Sequence, residues 1–171
     1  MRKLFSIIII ATVILLSSCI KNRLTVWTGV QVELDAATWN SNAVGLLYPI
    51  VTRVPAYGAA INAPNSPTLL TRTTAPFQLR VNLVGPQQSQ DIPISFRASP
   101  EATNTAVQGV HYAPLSGTGV IPKNSSFGYI TITPLNPGPT SGSVVLVIEL
   151  LNSTVPVNPN YNKVGLSIAQ N

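Results

Sequence analysis

The chain holds one cysteine, Cys19, and one histidine, His111. A lone cysteine cannot form an internal disulfide. One histidine and one cysteine also fall short of the three or four ligands that a zinc site needs. His111 would have to serve any Ser-His-Asp set, yet no Gly-x-Ser-x-Gly elbow accompanies it. Set beside Tyr112 among turn residues, it reads as a packing residue at a strand start. No glycine-rich loop ending in lysine is present to cradle phosphate. Acids are equally scarce, five against ten basic residues, and charged residues make up only 9% of the chain. The bases Lys21, Arg23, Arg53, Arg72, Arg80, Arg97, Lys123 and Lys163 are thinly spread and read as solvated surface groups. Nucleic-acid binders cluster theirs, so no nucleic-acid partner is expected, and no metal or other cofactor. Glycoside hydrolysis needs two carboxylates, to be drawn from Glu33, Asp35, Asp91, Glu101 and Glu149. Glu33 and Asp35 lie two apart, about 7 Å along a strand. An exposed strand face is the favoured reading of that pair, and a hydrolase is a distant alternative.

What the chain does have begins with an apolar run. Arg2 and Lys3 precede Leu4 to Leu16, 13 residues broken only by Ser6 and Thr12, and then Ser17, Ser18 and Cys19. Crossing a bilayer takes about 20 apolar residues. A basic head, a shorter apolar core and a small-residue exit fit a secretory signal. Leu16-Ser17-Ser18-Cys19 resembles the bacterial lipobox. The resemblance implies cleavage before Cys19 and acylation of it, and two or more acyl chains anchor a protein stably. Residues 1–18 are then a signal peptide and 19–24 a lipidated tether. The mature chain of 153 residues carries a net charge of +3. That length suits one domain with a real core.

Proline (15) and glycine (11) punctuate the remainder and argue for many turns and few helices. Val26, Val30, Val32 and Leu34 alternate with Thr25, Gln31, Glu33 and Asp35, as in a half-buried strand. A second short strand is expected in LLYPIVTRV, where Pro49 favours an edge. Phe77, Leu79, Val81 and Leu83 define a third strand, and Ile92, Ile94 and Phe96 a fourth. GPQQSQ between them reads as a hairpin connector. Ile130 and Ile132 alternate with Tyr129, Thr131 and Thr133. SVVLVIELL is apolar on both parities, as a central strand covered on both sides would be. Val164, Leu166 and Ile168 close the chain. Seven or eight short strands with no helical period predict an all-β sandwich. The expected division is amino-terminal strands and a loop over 25–74, packed on a sandwich over 75–171.

From Phe77 to Ile168 the sequence resembles the Calx-beta and related immunoglobulin-like domains, and lipoproteins of Bacteroidota that carry one. The matching features are the strands 77–84 and 92–98, then Ala106, Gly109, His111, Tyr112, Ser116, Gly117, Val120, Ile121, Pro122, Asn124 and Tyr129 to Ile132, and finally Leu146 to Asn152. The resemblance implies an immunoglobulin-like β-sandwich. Calcium-binding Calx-beta domains carry an acidic run after the strand matching 129–133, since calcium takes six to eight oxygen ligands. Here residues 134–143, PLNPGPTSGS, hold no acid, so no calcium site of that type is expected. The resemblance also implies a non-enzymatic outer-membrane lipoprotein that binds or scaffolds a protein partner, as an accessory to a nutrient-uptake assembly. The basic tether, with Lys21 and Arg23, favours a periplasm-facing domain, because each charge near anionic headgroups gains about 1 kcal/mol. A glycan-binding module is the alternative. Its candidate contacts are Trp27, Trp39, Tyr48 and Tyr57, since aromatics mark interaction sites. A glycan binder would expose two or more of them in one patch. A scaffold would expose a flat apolar patch or an unpaired strand edge.

Overall fold

The computed structural model describes residues 28–61, 68–136 and 141–171. Within them eight strands form two sheets that enclose one apolar core. The strands are β1 (Gln31–Leu34), β2 (Ile50–Val51), β3 (Phe77–Val84), β4 (Ile92–Ala98), β5 (Thr118–Ile121), β6 (Phe127–Ile132), β7 (Ser143–Leu151) and β8 (Lys163–Ala169). One sheet runs β1-β3-β6, and the other β2-β8-β7-β4-β5. All pairs are antiparallel except β2 with β8. The expected all-β sandwich is therefore the observed architecture.

Period-two alternation places the core. Leu79, Val81, Ile130 and Ile132 point inward from the three-stranded sheet, and Ile94, Phe96, Leu146, Ile148, Leu166 and Ile168 from the five-stranded one. Each burial of a large aliphatic side chain stabilises by about 1.5–3 kcal/mol. β7 lies between β8 and β4, and Leu146, Val147 and Ile148 are all fully buried in it. Beyond Ala98 its open edge is taken by residues 99–106. Ser99 and Ala106 donate to the carbonyls of Val147 and Val145, while the Asn104 and Thr105 side chains accept from the same two residues' N–H groups.

The two amino-terminal strands are members of the sheets. β1 pairs with β3, and β2 extends the edge beyond β8. The outer edge of β1 is covered in turn: Val32 N–H donates to Pro156, Leu34 N–H to Tyr161, and Asn158 N–H back to Val32. At the β5–β6 corner the sheets come close. A Cβ on Gly128 would sit 2.6 Å from the Val120 carbonyl and 2.9 Å from Ile94 Cδ1, so only glycine fits.

Two expectations need correction. β3 and β4 belong to different sheets, so residues 85–91 arch across the sandwich and are not a hairpin connector. Burial alternates along both strands as expected, but alternation carries no information about the partner strand. The segment after Leu34 is also not extended. Asp35–Trp39 forms one short helical turn, α1, with Asp35, Ala36 and Ala37 buried. Five residues are too few to display a helical period.

Candidate functional site

The outward face of the three-stranded sheet carries the residues that the core rejects. β6 presents Phe127, Tyr129 and Thr131, and β3 presents Gln78, Arg80 and Asn82 directly opposite them. Glu33 of β1 faces Asn82 on the other side. Tyr57, from the loop after β2, joins this face. Its ring centroid lies 5.6 Å from that of Tyr129, inclined at 52°. The Arg80 guanidinium is held between rings, 4.4 Å from the centre of Phe127 and 5.2 Å from that of Tyr57. Such cation–π contacts contribute about 0.5–2 kcal/mol each. Tyr57, Phe127 and Tyr129 remain 43%, 40% and 42% exposed.

Asp35 organises the cluster from below. It is 1% exposed and accepts three hydrogen bonds. Arg80 Nη2 lies 2.6 Å from Oδ1, Asn82 Nδ2 3.1 Å from Oδ1, and the Gly58 N–H 3.0 Å from Oδ2. The last bond fixes the loop that carries Tyr57. Asp35 is thus neither exposed nor on the strand face of Glu33, as the alternation suggested. α1 turns it inward, where Arg80 compensates the charge. Nor is Arg80 a solvated surface residue, since its side chain is only 15% exposed. Glu33 is half-buried beside this pair and bonds Asn158 Nδ2 at 2.9 Å. Burial raises its pKa and the Asp35 charge adds to the rise, against the hydrogen bonds from Asn158 and Asn82. Burial likewise raises the Tyr57 hydroxyl, with Tyr129 and Asp35 adding to it and Arg80 opposing. It therefore stays protonated and donates to the Gln78 carbonyl at 3.3 Å.

A second feature lies on the five-stranded sheet. Arg97, Glu149 and Lys163 occupy one row across β4, β7 and β8. Arg97 Nε meets Glu149 at 2.8 Å, and Lys163 Nζ lies between Glu149 and Glu101. The hydrogen bond from Lys163 holds the Glu101 carboxyl below its usual range, and the same bond raises the Lys163 ammonium. Tyr48 bonds both Glu101 and Thr103 through its hydroxyl. Beside this network is a cleft of about 280 Å³ whose lining includes Leu47, Tyr48, Glu101, Pro159 and Lys163. The two charged residues of its lining, Glu101 and Lys163, pair with each other, and Tyr48 is 3% exposed and offers it no open ring face.

Of the four aromatics singled out in the sequence, Tyr57 alone among the described ones joins the ring cluster. Trp27 lies outside the described residues, as does Cys19. Trp39 is exposed on α1, Tyr48 is buried, and Tyr57 stands with Phe127 and Tyr129. The last two went unmarked because their alternation with Ile130 and Ile132 made them ordinary outward strand residues. Two rings at i and i+2 on one strand face were the available signal. The remaining acid, Asp91, accepts from the Lys123 N–H at 2.8 Å. His111 is 7% exposed, and its Nδ1 accepts the Val107 N–H at 2.8 Å, closing a turn. Among the described residues, no three of His, Cys, Asp and Glu lie close enough to hold a metal. Of the acid-free segment, residues 137–140 lie outside them.

No protein-family model matches the sequence, and neither does any curated protein. Solved structures do match. The Calx CBD1 domain in its apo form superposes with a TM-score of 0.51 at 12% identity, over 82% of this chain and 97% of that one. The Calx CBD2 domain gives 0.47 at 14% identity, over 58% and 78%. A two-domain protein of unknown function from Bacteroides fragilis gives 0.47 at 14% identity, over 82% of this chain but only 45% of its own. At such identities the likeness speaks for the fold alone. Two sheets, eight strands among the described residues and the superposition on the Calx CBD1 domain lead to one conclusion: the chain has a Calx-beta-like β-sandwich fold.

Proposed function

We propose that the protein is a non-enzymatic binding module, held on the periplasmic side of the outer membrane through acyl chains on Cys19, and that it binds glycans on the outer face of its three-stranded sheet. The observation that carries this reading is the grouping of Tyr57, Phe127 and Tyr129 around Arg80. Partly exposed rings locked by packing present apolar area at little entropic cost. The flanking groups Gln78 and Thr131 are an exposed amide and an exposed hydroxyl, suited to a hydroxyl-rich ligand. Among the outward residues of this sheet only Val84 is aliphatic, whereas a protein-docking patch would ordinarily carry more apolar side chains. The covered outer edge of β1 also speaks against strand addition there. A glycan microarray probed with the full chain in neutral detergent tests this. Signal on defined glycans, lost in a Tyr57→Ala/Tyr129→Ala variant that melts like wild type, is expected. A variant that binds undiminished places the site elsewhere.

A protein-binding scaffold, the leading expectation from the sequence, is the second reading, favoured by the loop tip beside the cleft. Val44 and Leu47 there are 104% and 86% exposed, apolar area that a partner surface would remove from water. Service to a nutrient-uptake assembly is compatible with either reading.

A further inference from the structure

We infer that the aromatic face selects neutral glycan chains over acidic ones, and that Asp35 sets this selectivity by cancelling the charge of Arg80. The inference rests on the glycan reading above and refines it. Among the described residues, Arg80 is the one cation that the strands of this face present. Arginine at an exposed sugar or phosphate site usually serves to grip an anion through its planar fork. Here that fork is turned inward. Nη2 is bound to Asp35 at 2.6 Å, and two rings cover the guanidinium plane at 4.4 and 5.2 Å. Nε is buried with no partner among the described residues. Arg80 therefore acts as a spacer that sets the ring positions. A uronate or sulfate arriving at the rings meets no uncompensated positive charge.

The other charges on the face reinforce the point. Glu33 stands one strand away from Arg80, opposite Asn82. With Arg80 and Asp35 cancelling, Glu33 leaves the face with a net negative charge, which repels acidic sugars. A pyranose whose hydroxyls are mostly equatorial has the opposite needs. Its C–H faces are apolar and stack on exposed rings, and its rim of hydroxyls seeks neutral donors and acceptors. Tyr129 and Tyr57 are in contact, inclined at 52°, and both are partly exposed, so together they offer ring area on which such a face can rest. Gln78 and Thr131, paired across β3 and β6, stand one step further along the same face. Neutral, equatorially substituted chains such as β-glucans and xylans are the class this surface fits.

Native affinity gels separate the possibilities. The full chain in neutral detergent is run through gels that contain β-glucan, xyloglucan or xylan, and through gels that contain alginate or polygalacturonate. Retardation by at least one neutral polymer and by neither acidic one is expected. Tyr129→Ala should weaken it at least tenfold, about 1.4 kcal/mol, and Asp35→Asn/Glu33→Gln, which leaves Arg80 as the uncancelled charge among the described residues of the face, should gain retardation by the acidic polymers. Retardation of the wild type by acidic polymers as strong as by neutral ones overturns the charge argument and leaves the glycan reading standing. Retardation by no polymer overturns the glycan reading itself. A folded Asp35→Asn/Glu33→Gln protein that still ignores acidic polymers removes the role assigned to Asp35. If that double variant is unfolded at the assay temperature, Glu33→Gln alone replaces it. Glu33→Gln keeps the Asp35–Arg80 pair intact and should still ignore acidic polymers; gain of acidic retardation there assigns the selectivity to Glu33 and overturns the role given to Asp35.

Discussion

Replacing Asp35 by alanine should cost about 3 kcal/mol. The side chain is buried and receives three donors, from Arg80, Asn82 and the Gly58 N–H. Breaking a fully buried ion pair by removing one partner costs about 3–5 kcal/mol, because the other charge is left uncompensated. Arg80 is 15% exposed, so water recovers part of that and the lower end applies. The two other donors are orphaned as well, each costing about 1–3 kcal/mol when it stays dry; the loop at Gly58 can move to wet both. A domain of this size unfolds with an entropy of about 0.3 kcal/mol per kelvin. The melting temperature should therefore fall by about 10 °C, read by circular dichroism with urea titration as the second measure. The double variant Asp35→Ala/Arg80→Leu is the sharper probe. With both charges gone it should be at least 1 kcal/mol more stable than the sum of the two single losses predicts. An Asp35→Ala protein that loses under 1 kcal/mol, or two single changes that simply add, would refute the view that this pair is a mutually dependent buried unit.

Gly128→Ala should lose about 1–3 kcal/mol, the usual range for overpacking, because the new methyl meets the Val120 carbonyl at 2.6 Å; an unchanged melt would mean that the β5–β6 corner yields freely. Lys163→Met should cost at most about 1 kcal/mol, since the Lys163–Glu101 pair is partly solvated. Glu101 is lowered, so its share is present above the ordinary carboxylate range and fades as pH falls through the folded value. Lys163 is raised, so its share holds below the ordinary ammonium range and fades as pH rises through the folded value. The Met variant should thus converge with wild type at both extremes, in urea titrations run across pH. Millimolar calcium and chelators should leave the melting temperature unchanged, as residues 134–143 carry no carboxylate; a chelator-sensitive melt would reveal a site built from other oxygens. Cys19→Ala should leave the membrane fraction or stay unprocessed, and protease added to intact cells should spare the wild-type domain until the outer membrane is opened.

Much of the strand framework was legible locally. Leu79, Val81, Ile92, Ile94, Ile130 and Ile132 alternate with polar neighbours, and alternation alone decides which side of a strand is dry. The crowded apolar run in β7 announced a strand covered on both faces, and Val147 is buried on the parity opposite to Leu146 and Ile148. The scarcity of cysteine, histidine and acids bounded the chemistry before any fold was known. What alternation cannot carry is which strand pairs with which. β3 and β4 are consecutive in sequence and sit in different sheets, because the arch of residues 85–91 closes the sandwich where a hairpin would have left one sheet bare.

The candidate face was decided by tertiary structure for the same reason. Asp35 meets Arg80 across 45 positions of sequence, and Tyr57 meets Tyr129 across more. Neither meeting has a local signature. One helical turn, too short to show a period, turned an apparently exposed carboxylate into the buried partner that neutralises the face. Sequence by itself determined which residues face outward and which chemistries are out of reach. The folded chain decided which outward residues stand together, because that depends on long-range packing of the two sheets and not on the neighbours along the strand.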